Sequence, residues 1–371
     1  MVNKSLKKDQ VKNLLNKITQ SSQLIAPIQS DGITLFRPVQ SGEGVVLDYQ
    51  NALVPPKDFF FPQSEKMFSY DINDPSWAIK PEEGVPNRVL FGARPCDVKS
   101  ILLLDKVFDA EFRDDLYIDK RNKTTIVAIS CNTSRHTCFC GAFGISPGEA
   151  DGADILMTNL GDRYLVEVLT DKGETLVASC SDLFTDDDGS GAQVKEKAVA
   201  PAFEKQMKIS LDGVKAKLDN MFDHPIWGAE SLRCIGCGTC TFVCPTCHCF
   251  DIVDFSNQSS VGYRYRCADS CQFANFTRAA GGHQPRPSKM ERTRQRFMHK
   301  LRYFVDRYGD FGCVGCGRCL EKCPVNLDIA QIISELVQLK LNIETSVGDS
   351  TPTEAEKWKL HLIEGGVLEL G

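Results

Sequence analysis

The sequence of 371 residues lacks any long apolar run. No stretch approaches the roughly 18 consecutive apolar residues that a membrane-spanning helix needs, so we expect no membrane insertion. The first 20 residues carry five lysines and no apolar segment, which argues against a secretory signal. The net charge is −6, so the chain as a whole does not favour nucleic acid. These absences predict a cytoplasmic globular protein.

The sequence also lacks the common nucleotide and hydrolase motifs. It has no G-x-G-x-x-G after a predicted strand and no P-loop. Its six histidines form no H-E-x-x-H or comparable spacing. We therefore expect no catalytic residues and no flavin, nucleotide or nickel site in this chain. Partner chains are expected to supply the electron source and the electron acceptor.

Cysteine, by contrast, is abundant. There are 17 cysteines in a large chain without a secretory signal, which favours metal binding over disulfides. One run occurs twice, as CIGCGTC from Cys234 and as CVGCGRC from Cys313, and each copy is followed by Cys-Pro. Both copies fit C-x2-C-x2-C-x3-C-P, the ferredoxin run whose fourth cysteine ligates the other cluster.

Crossed ligation divides these eight cysteines into two sets of four. The two predicted [4Fe–4S] clusters are held by Cys234, Cys237, Cys240 and Cys323, and by Cys313, Cys316, Cys319 and Cys244. Structural zinc is the alternative, but zinc sites usually pair two C-x2-C units. Two clusters with every iron ligated by protein would form an electron relay and would not bind substrate.

Nine cysteines lie outside these two sets. Four of them follow predicted strands, where sites gather in α/β domains: Cys96, Cys131, Cys138 and Cys140. They are candidates for a third [4Fe–4S] cluster, and the alternative is buried thiols that only pack.

A second group follows the first ferredoxin run and has a weaker pattern. Its members are Cys247, His248, Cys249, Cys267 and Cys271. They are candidates for a further metal, although packing around the ferredoxin core is the favoured interpretation. Cys180 is interpreted as a core residue.

Hydrophobic periodicity predicts an α+β chain. A mixed α/β domain is predicted over 1–225, a mainly α-helical ferredoxin-like dicluster domain over 226–343, and a tail over 344–371. The predicted helices cover 5–20, 98–108, 194–221, 288–308 and 329–343. The predicted strands cover 24–28, 33–39, 88–91, 124–130, 155–158 and 164–169.

Residues 261–308 form a basic insertion in the second domain. Their net charge is +8, which leaves −14 for the rest of the chain. Such asymmetry indicates a docking face for an acidic partner or for nucleotide phosphates at a subunit boundary. It could also balance cluster charge, or belong to a solvated amphipathic helix. Nucleic acid is a weaker interpretation because few aromatic residues are interleaved.

Five segments of the chain resemble one known family. They are GARPCDVKSILLLD, SCNTSRHTCFCGAFGISPG, CIGCGTCTFVCPTCHCFDI, CADSCQFANFTRAAGGHQPR and CVGCGRCLEKCPVNLDI. Together they make residues 50–330 similar to the β-subunit family of cytosolic [NiFe] sulfhydrogenases. That family includes the electron-transfer subunits of anaerobic sulfite reductases and those that feed heterodisulfide-reductase-type complexes.

The resemblance implies an iron–sulfur relay inside a soluble complex. Electrons would pass between a partner that binds flavin and NAD(P) and a second partner with hydrogenase-type catalysis. One alternative is a partner that reduces sulfite or a heterodisulfide. Others are a catalytic cluster with an open iron on the N-terminal cysteines, and a nucleic-acid-binding protein with structural clusters. The 68 residues between Cys244 and Cys313 resemble an enlarged linker of helical ferredoxin domains.

Overall fold

The computed structural model describes residues 2–76, 79–82, 84–256 and 260–339. Its strands are β1 Val2–Lys7, β2 Gln23–Ser30, β3 Ile33–Val39, β4 Ser64–Asp71, β5 Lys80–Pro81, β6 Arg88–Ala93, β7 Thr124–Ile129, β8 Ile155–Asn159, β9 Arg163–Val168, β10 Thr185–Asp186, β11 Phe250–Ser256 and β12 Val261–Ala268. Its α-helices are α1 Val11–Ser21, α2 Pro95–Phe108, α3 Asp115–Asn122, α4 Asp171–Ser179, α5 Gly191–Lys205, α6 Val214–Leu218, α7 Ile226–Arg233, α8 Thr239–Phe242, α9 Lys289–Met298, α10 Phe304–Tyr308, α11 Arg318–Lys322 and α12 Ile329–Gln338. A π-helical segment, His299–Tyr303, joins α9 to α10.

A mixed sheet of eight strands forms the centre of the N-terminal region. Its order is β10-β1-β9-β8-β7-β6-β2-β3, and β2, β6, β7 and β8 run parallel. Successive side chains of a strand point to opposite faces. Accordingly, Val89 packs with α1 on one face, whereas Leu90 packs with α2 and α3 on the other. The sheet is therefore covered by helices on both faces, as expected for parallel strands.

The parallel strands β6 and β7 lead directly into the N-terminal cysteines. After β6, Arg94 and Asp97 form a capping box, so that Pro95 and Cys96 begin α2. After β7, the chain leaves the sheet at Ser130 and reaches Cys131. Because β6 and β7 are parallel neighbours, their carboxyl ends meet at one edge. This edge brings Cys96 and Cys131 to the same side of the sheet.

A second sheet joins the basic insertion to the N-terminal region. Its order is β11-β12-β4-β5, with Tyr263 of the insertion paired to Ser69. Arg266 of β12 is buried and forms ion pairs with Glu65 and Asp114. The insertion thus begins as a hairpin that completes a sheet with residues 64–71. This hairpin has no strand signal in the sequence, because every residue of β11 is exposed and its burial has no period of two.

The mixed α/β N-terminal region and the C-terminal dicluster region confirm the predicted fold class, but two predicted helices differ in extent. The first helix begins at Val11, since residues 2–7 pair with β9 as a strand. The helix predicted over 194–221 is interrupted after Lys205. The interruption lies where the Met207 N–H donates to the carbonyl of Cys138, 2.8 Å away, so that tertiary contact replaces helical hydrogen bonding.

Residues Met1–Gln338 form one compact unit, and Leu339 begins another. The division predicted at residues 225 and 226 stays a prediction. The helix predicted over 329–343 is present as α12, and its last part and the predicted tail over 344–371 lie outside the described residues. In the described part of the chain, no helix has the length and apolar character to cross a membrane.

Candidate iron–sulfur centres

The two ferredoxin runs share one backbone conformation. Each is a tight loop that turns into a short helix at a glycine, Gly238 before α8 and Gly317 before α11. Both glycines have φ in the left-handed region, +75° and +76°, which a residue with a Cβ rarely adopts. The loop N–H groups point at sulfur: the Gly315 N–H lies 3.5 Å from Cys313 Sγ. Such contacts lower the energy of an anionic sulfur.

One cavity collects the four cysteines that the crossing rule assigns to the second cluster. It encloses about 320 Å³ and its sulfur-bearing lining residues are Cys244, Cys313, Cys316 and Cys319. Cys244 belongs to the first run and the other three to the second. Thr246, two residues after Cys244, donates to the carbonyl of Gly312 at 2.7 Å, which ties the end of the first run to the start of the second.

The four cysteines assigned to the first cluster are less enclosed. Cys234 and Cys240 are close enough to interact electrostatically, whereas Cys237 is exposed. A hydrogen bond with the Thr239 hydroxyl lowers the pKa of the Cys237 thiol. Cys323 lies at the end of α11, and its Sγ accepts a hydrogen bond from the Leu327 N–H at 3.2 Å.

The start of the first run and the end of the second also meet in space. Arg233 donates to the carbonyl of Asn326 at 3.4 Å, and these residues adjoin Cys234 and follow Cys323. The short helices α8 and α11 pack against each other. The two runs thus face each other in opposite order, which is the arrangement that crossed ligation requires.

Two cations are buried among these thiols. Arg296 and Lys300 are each only 4 % exposed, and they lie four residues apart on α9 and the π-helical segment. The Lys300 ammonium donates to Cys244 Sγ at 3.2 Å. The Arg296 guanidinium donates to the carbonyl of Cys240 at 3.2 Å. One cation therefore contacts each predicted set of ligands.

Burial and charge shift the thiol pKa values in opposite directions. Burial raises the pKa of Cys313 to about 11 and also raises the pKa of Cys319. The pKa of Cys244 is instead held well below its ordinary value, by its hydrogen bond with Cys247 and then by Lys300. Cys244 is therefore the thiol of this cavity that most readily becomes a thiolate, the form in which cysteine binds metal.

The four N-terminal cysteines converge beside the second run. Cys140 interacts electrostatically with Cys131, Cys138 and Cys316, and Cys96 interacts with Cys140 and Cys316. Burial raises the pKa of Cys138 to about 11 and raises those of the other three as well. Strand ends from different parts of the N-terminal region thus bring four thiols together next to Cys316.

The backbone of the second run lies directly on the N-terminal cysteine loop. The Phe139 N–H donates to the carbonyl of Gly315 at 2.8 Å. A Cβ on Gly315 would lie 2.5 Å from the Phe139 carbonyl oxygen, and one on Gly317 would lie 2.4 Å from that of Thr137. Only glycine allows this approach, so the second run and residues 137–139 are in backbone contact.

A buried ion pair holds the same contact together. Arg318 and Asp97 lie 2.8 Å apart, with side chains 2 % and 0 % exposed. Arg318 also donates to the carbonyl of Ala52, and Asn51 donates to that of Cys316, both at 2.8 Å. Sequence reasoning missed these residues because nothing local marks them as partners.

The cysteines that follow the first run separate into two places. Cys247, Cys249 and Cys271 line a neighbouring cavity with His248 and His299. Cys267 instead lies on β12, with its sulfur 3.9 Å from the Ser64 hydroxyl. Burial lowers the pKa of His248 to about 4, so this imidazole is neutral.

Within that second cavity, Cys249 and Cys271 are hydrogen-bonded to each other. This contact lowers the pKa of Cys271 to about 6. Across the described residues, no three His, Cys, Asp or Glu side chains are placed to hold a single metal ion. Cys180 is buried with α4 in the core beneath the large sheet, as predicted.

The residues of the Cys244 cavity fit a [4Fe–4S] cluster. Four thiols surround it, and two buried cations beside it have thiols and carbonyls as their hydrogen-bond partners. Buried charges are normally paired, and a cluster with four thiolate ligands is anionic. When bound, such a cluster stores and passes on single electrons.

Comparison with known proteins agrees with this geometry. A family model described as a 4Fe-4S dicluster domain matches residues 233–327, which contain both runs. The fold and the two runs therefore define an iron–sulfur electron-transfer protein with two [4Fe–4S] clusters. The chain is also 34 % identical to "Sulfhydrogenase 2 subunit beta" of Pyrococcus furiosus over 324 residues, covering 86 % of this chain and 94 % of that protein. The chain belongs to the family of sulfhydrogenase beta subunits, which confirms the resemblance seen in the sequence.

Proposed function

We propose that this chain relays electrons through crossed ferredoxin clusters and makes no bonds in a substrate itself. The supporting observation is the cavity in which Cys244 of the first run joins three cysteines of the second. On this proposal Cys244 completes the ligands of the second cluster and Cys323 those of the first. The sequence order of the eight ligands then links the two clusters through a short stretch of protein.

A third [4Fe–4S] cluster on the N-terminal cysteines would extend this relay. Its ligands would be Cys96, Cys131, Cys138 and Cys140. The proximity of Cys140 and Cys96 to Cys316 supports this assignment, because it would set the third cluster beside the second. Electrons could then cross from the dicluster region to the edge of the large sheet.

The partners of the relay are proposed to be two other chains of a complex. The name of the relative describes it as the beta subunit of a sulfhydrogenase. For this chain we propose a flavin- and NAD(P)-binding partner at one end and a hydrogenase-type catalytic partner at the other, in a soluble cytoplasmic complex. The alternative is a catalytic partner that reduces sulfite or a heterodisulfide.

The first experiment is to measure iron and acid-labile sulfide on anaerobically purified protein, with EPR of the dithionite-reduced sample. About twelve irons per chain support three cubane clusters, and about eight support two. With eight, the N-terminal cysteines are structural thiols and the third cluster is rejected. Fewer than about four irons after reconstitution would contradict the relay as a whole.

Assignment of the third cluster needs a matched pair of variants. Cys138→Ser should lower the iron content from about twelve to about eight, since it removes one ligand of a four-iron cluster. Cys267→Ser is the control, because its thiol lies on β12 by Ser64 and outside all the cysteine groups. An equal iron content in the two variants would contradict the third cluster.

A further inference from the structure

The basic insertion divides into exposed and buried cations. Four of its eleven Lys and Arg side chains are buried: Arg266, Arg292, Arg296 and Lys300. A surface for docking cannot include these four. Their partners therefore show what the interior part of this positive charge does.

The partners of the buried cations are of different kinds. The charge of Arg266 is matched by Glu65 and Asp114. Arg292 donates to the backbone carbonyls of Arg286 and Pro287. Neither Arg296 nor Lys300 forms an ion pair with a carboxylate of the described residues. Their partners are sulfur, hydroxyl and carbonyl groups around the cysteines.

Lys300 connects the two halves of the second ligand set. Its three ammonium hydrogens are directed to Cys244 Sγ at 3.2 Å, to Thr246 Oγ1 at 3.0 Å and to the Gly312 carbonyl at 2.9 Å. Gly312 immediately precedes Cys313. The ammonium is thus fixed between the crossing ligand and the start of the second run, with no freedom to turn towards solvent.

Arg296 lies between the two ligand sets. It donates to the carbonyl of Cys240 in the first set, and it interacts electrostatically with Cys319 and Cys244 of the second. It lines the Cys244 cavity together with Lys300. The π-helical segment that follows α9 belongs to this arrangement, since π turns inside α-helices are frequent at functional sites.

We propose that Arg296 and Lys300 are the built-in counter-charge of the two clusters and raise their reduction potentials. Reduction adds an electron, so a fixed positive charge in a poorly solvated interior favours the reduced state. Lys300 contacts one ligand set and Arg296 faces both. Lys300 should therefore act mainly on the second cluster, and Arg296 on both. This inference rests on the proposed function.

The test is an EPR-monitored redox titration of the iron-replete full chain. Lys300→Met keeps the length of the side chain and removes its charge. We expect the reduction equilibrium of the second cluster to shift at least tenfold towards the oxidised state, which is about 59 mV for one electron. The first cluster should shift less. Arg296→Met should lower both potentials, with iron content unchanged.

Two further variants separate charge from packing. Lys300→Arg should restore most of the potential, because it restores the charge. Arg302→Met is the matched control, since Arg302 lies on the same π-helical segment but pairs with Asp219 at 2.8 Å on the outer side. Its potentials should equal those of the wild type.

Unchanged potentials in iron-replete Lys300→Met and Arg296→Met would overturn this inference alone. If Lys300→Met loses iron, the arginine variant decides: retained iron and potential support the counter-charge, whereas loss in Lys300→Arg as well assigns the position to packing and overturns it. A wild-type chain that takes up no iron would overturn the proposed function together with this inference.

Discussion

Cys244 is separated by 68 residues from the second run, yet it shares a cavity with three cysteines of that run. Its neighbour Thr246 is hydrogen-bonded to Gly312, so the position does not depend on the bound metal alone. Lys300 contributes to the same contact. At the scale of the residue, protein contacts pre-arrange the crossing ligand.

Cys244→Ser should therefore remove the second cluster and spare the first. We expect a loss of about four irons per chain. The EPR component that disappears should be the one lost in Cys316→Ser and kept in Cys237→Ser. Cys180→Ser, which alters a core thiol, should retain all components. Loss of the Cys237-dependent component in Cys244→Ser would show that the ligands do not cross.

Asp97→Asn tests the buried ion pair with Arg318. Removal of one partner of a buried pair leaves an uncompensated charge and costs about 3–5 kcal/mol. We expect a loss of this size in the free energy of unfolding, measured by anaerobic denaturant titration. Asp310→Asn is the control, because Asp310 pairs with Lys106 near the surface and should cost at most about 1 kcal/mol. Equal effects would contradict the importance of burial.

Single residues differ in how far the sequence could predict them. The eight ferredoxin cysteines follow from spacing, because the cluster itself imposes that spacing. Asp97 and Arg318 are far apart in sequence, and nothing near either residue indicates the other. Lys300 was visible only as one of many cations in a basic stretch. Its partners depend on tertiary structure, which a local pattern does not contain.

At the scale of elements, the second run is a loop that has to meet another loop. Gly317 approaches Thr137, and its conformation and its lack of a Cβ are both required there. Gly309 has nearly the same φ, +73°, but a Cβ there would meet nothing within 4 Å. The pair therefore separates backbone strain from steric clash.

Gly317→Ala should destabilise the chain more than Gly309→Ala does. Both substitutions place alanine in a left-handed conformation, which costs roughly 1–2 kcal/mol. Only Gly317→Ala adds a clash with a backbone oxygen, so its melting temperature and its iron content should both fall further. The measurement is thermal unfolding under anaerobic conditions with iron analysis. Equal losses would mean that the contact with residues 137–139 contributes little.

Elements with buried, periodic side chains were predictable, and the others were not. The strand predicted over 33–39 has those bounds in the structure, and the central strands β6, β7 and β8 differ by two residues or fewer. β1 was missed because its lysines resemble a helix start. The hairpin of β11 and β12 was missed because its outer strand has no buried face. Its formation depends on pairing with β4, a contact between distant segments.

At the scale of the whole molecule, the N-terminal region and the dicluster region are joined twice. The hairpin of the basic insertion completes a sheet with β4, and the second run lies on residues 137–139. Both contacts lie within the compact unit Met1–Gln338. The proposed third cluster would lie at the second of these contacts.

The purified chain, with its clusters, should neither oxidise hydrogen nor reduce sulfite. The relay proposed here has no position for a substrate, because each iron is assigned a cysteine ligand. The measurement is hydrogen-dependent viologen reduction and viologen-dependent sulfite reduction. EPR of the dithionite-reduced sample is the control that the clusters accept electrons. Turnover at the rate of a complete complex would contradict a relay without catalysis.

The crossing of Cys244 into the cavity of the second run has a consequence for the order of biosynthesis. With crossed ligands, the set that begins at Cys234 remains incomplete until the ribosome has reached Cys323. Neither cluster can close on a nascent chain that carries the first run alone. Iron delivery should therefore follow synthesis of the second run, and the loss of residues from Cys313 onward should leave both clusters without their full ligands.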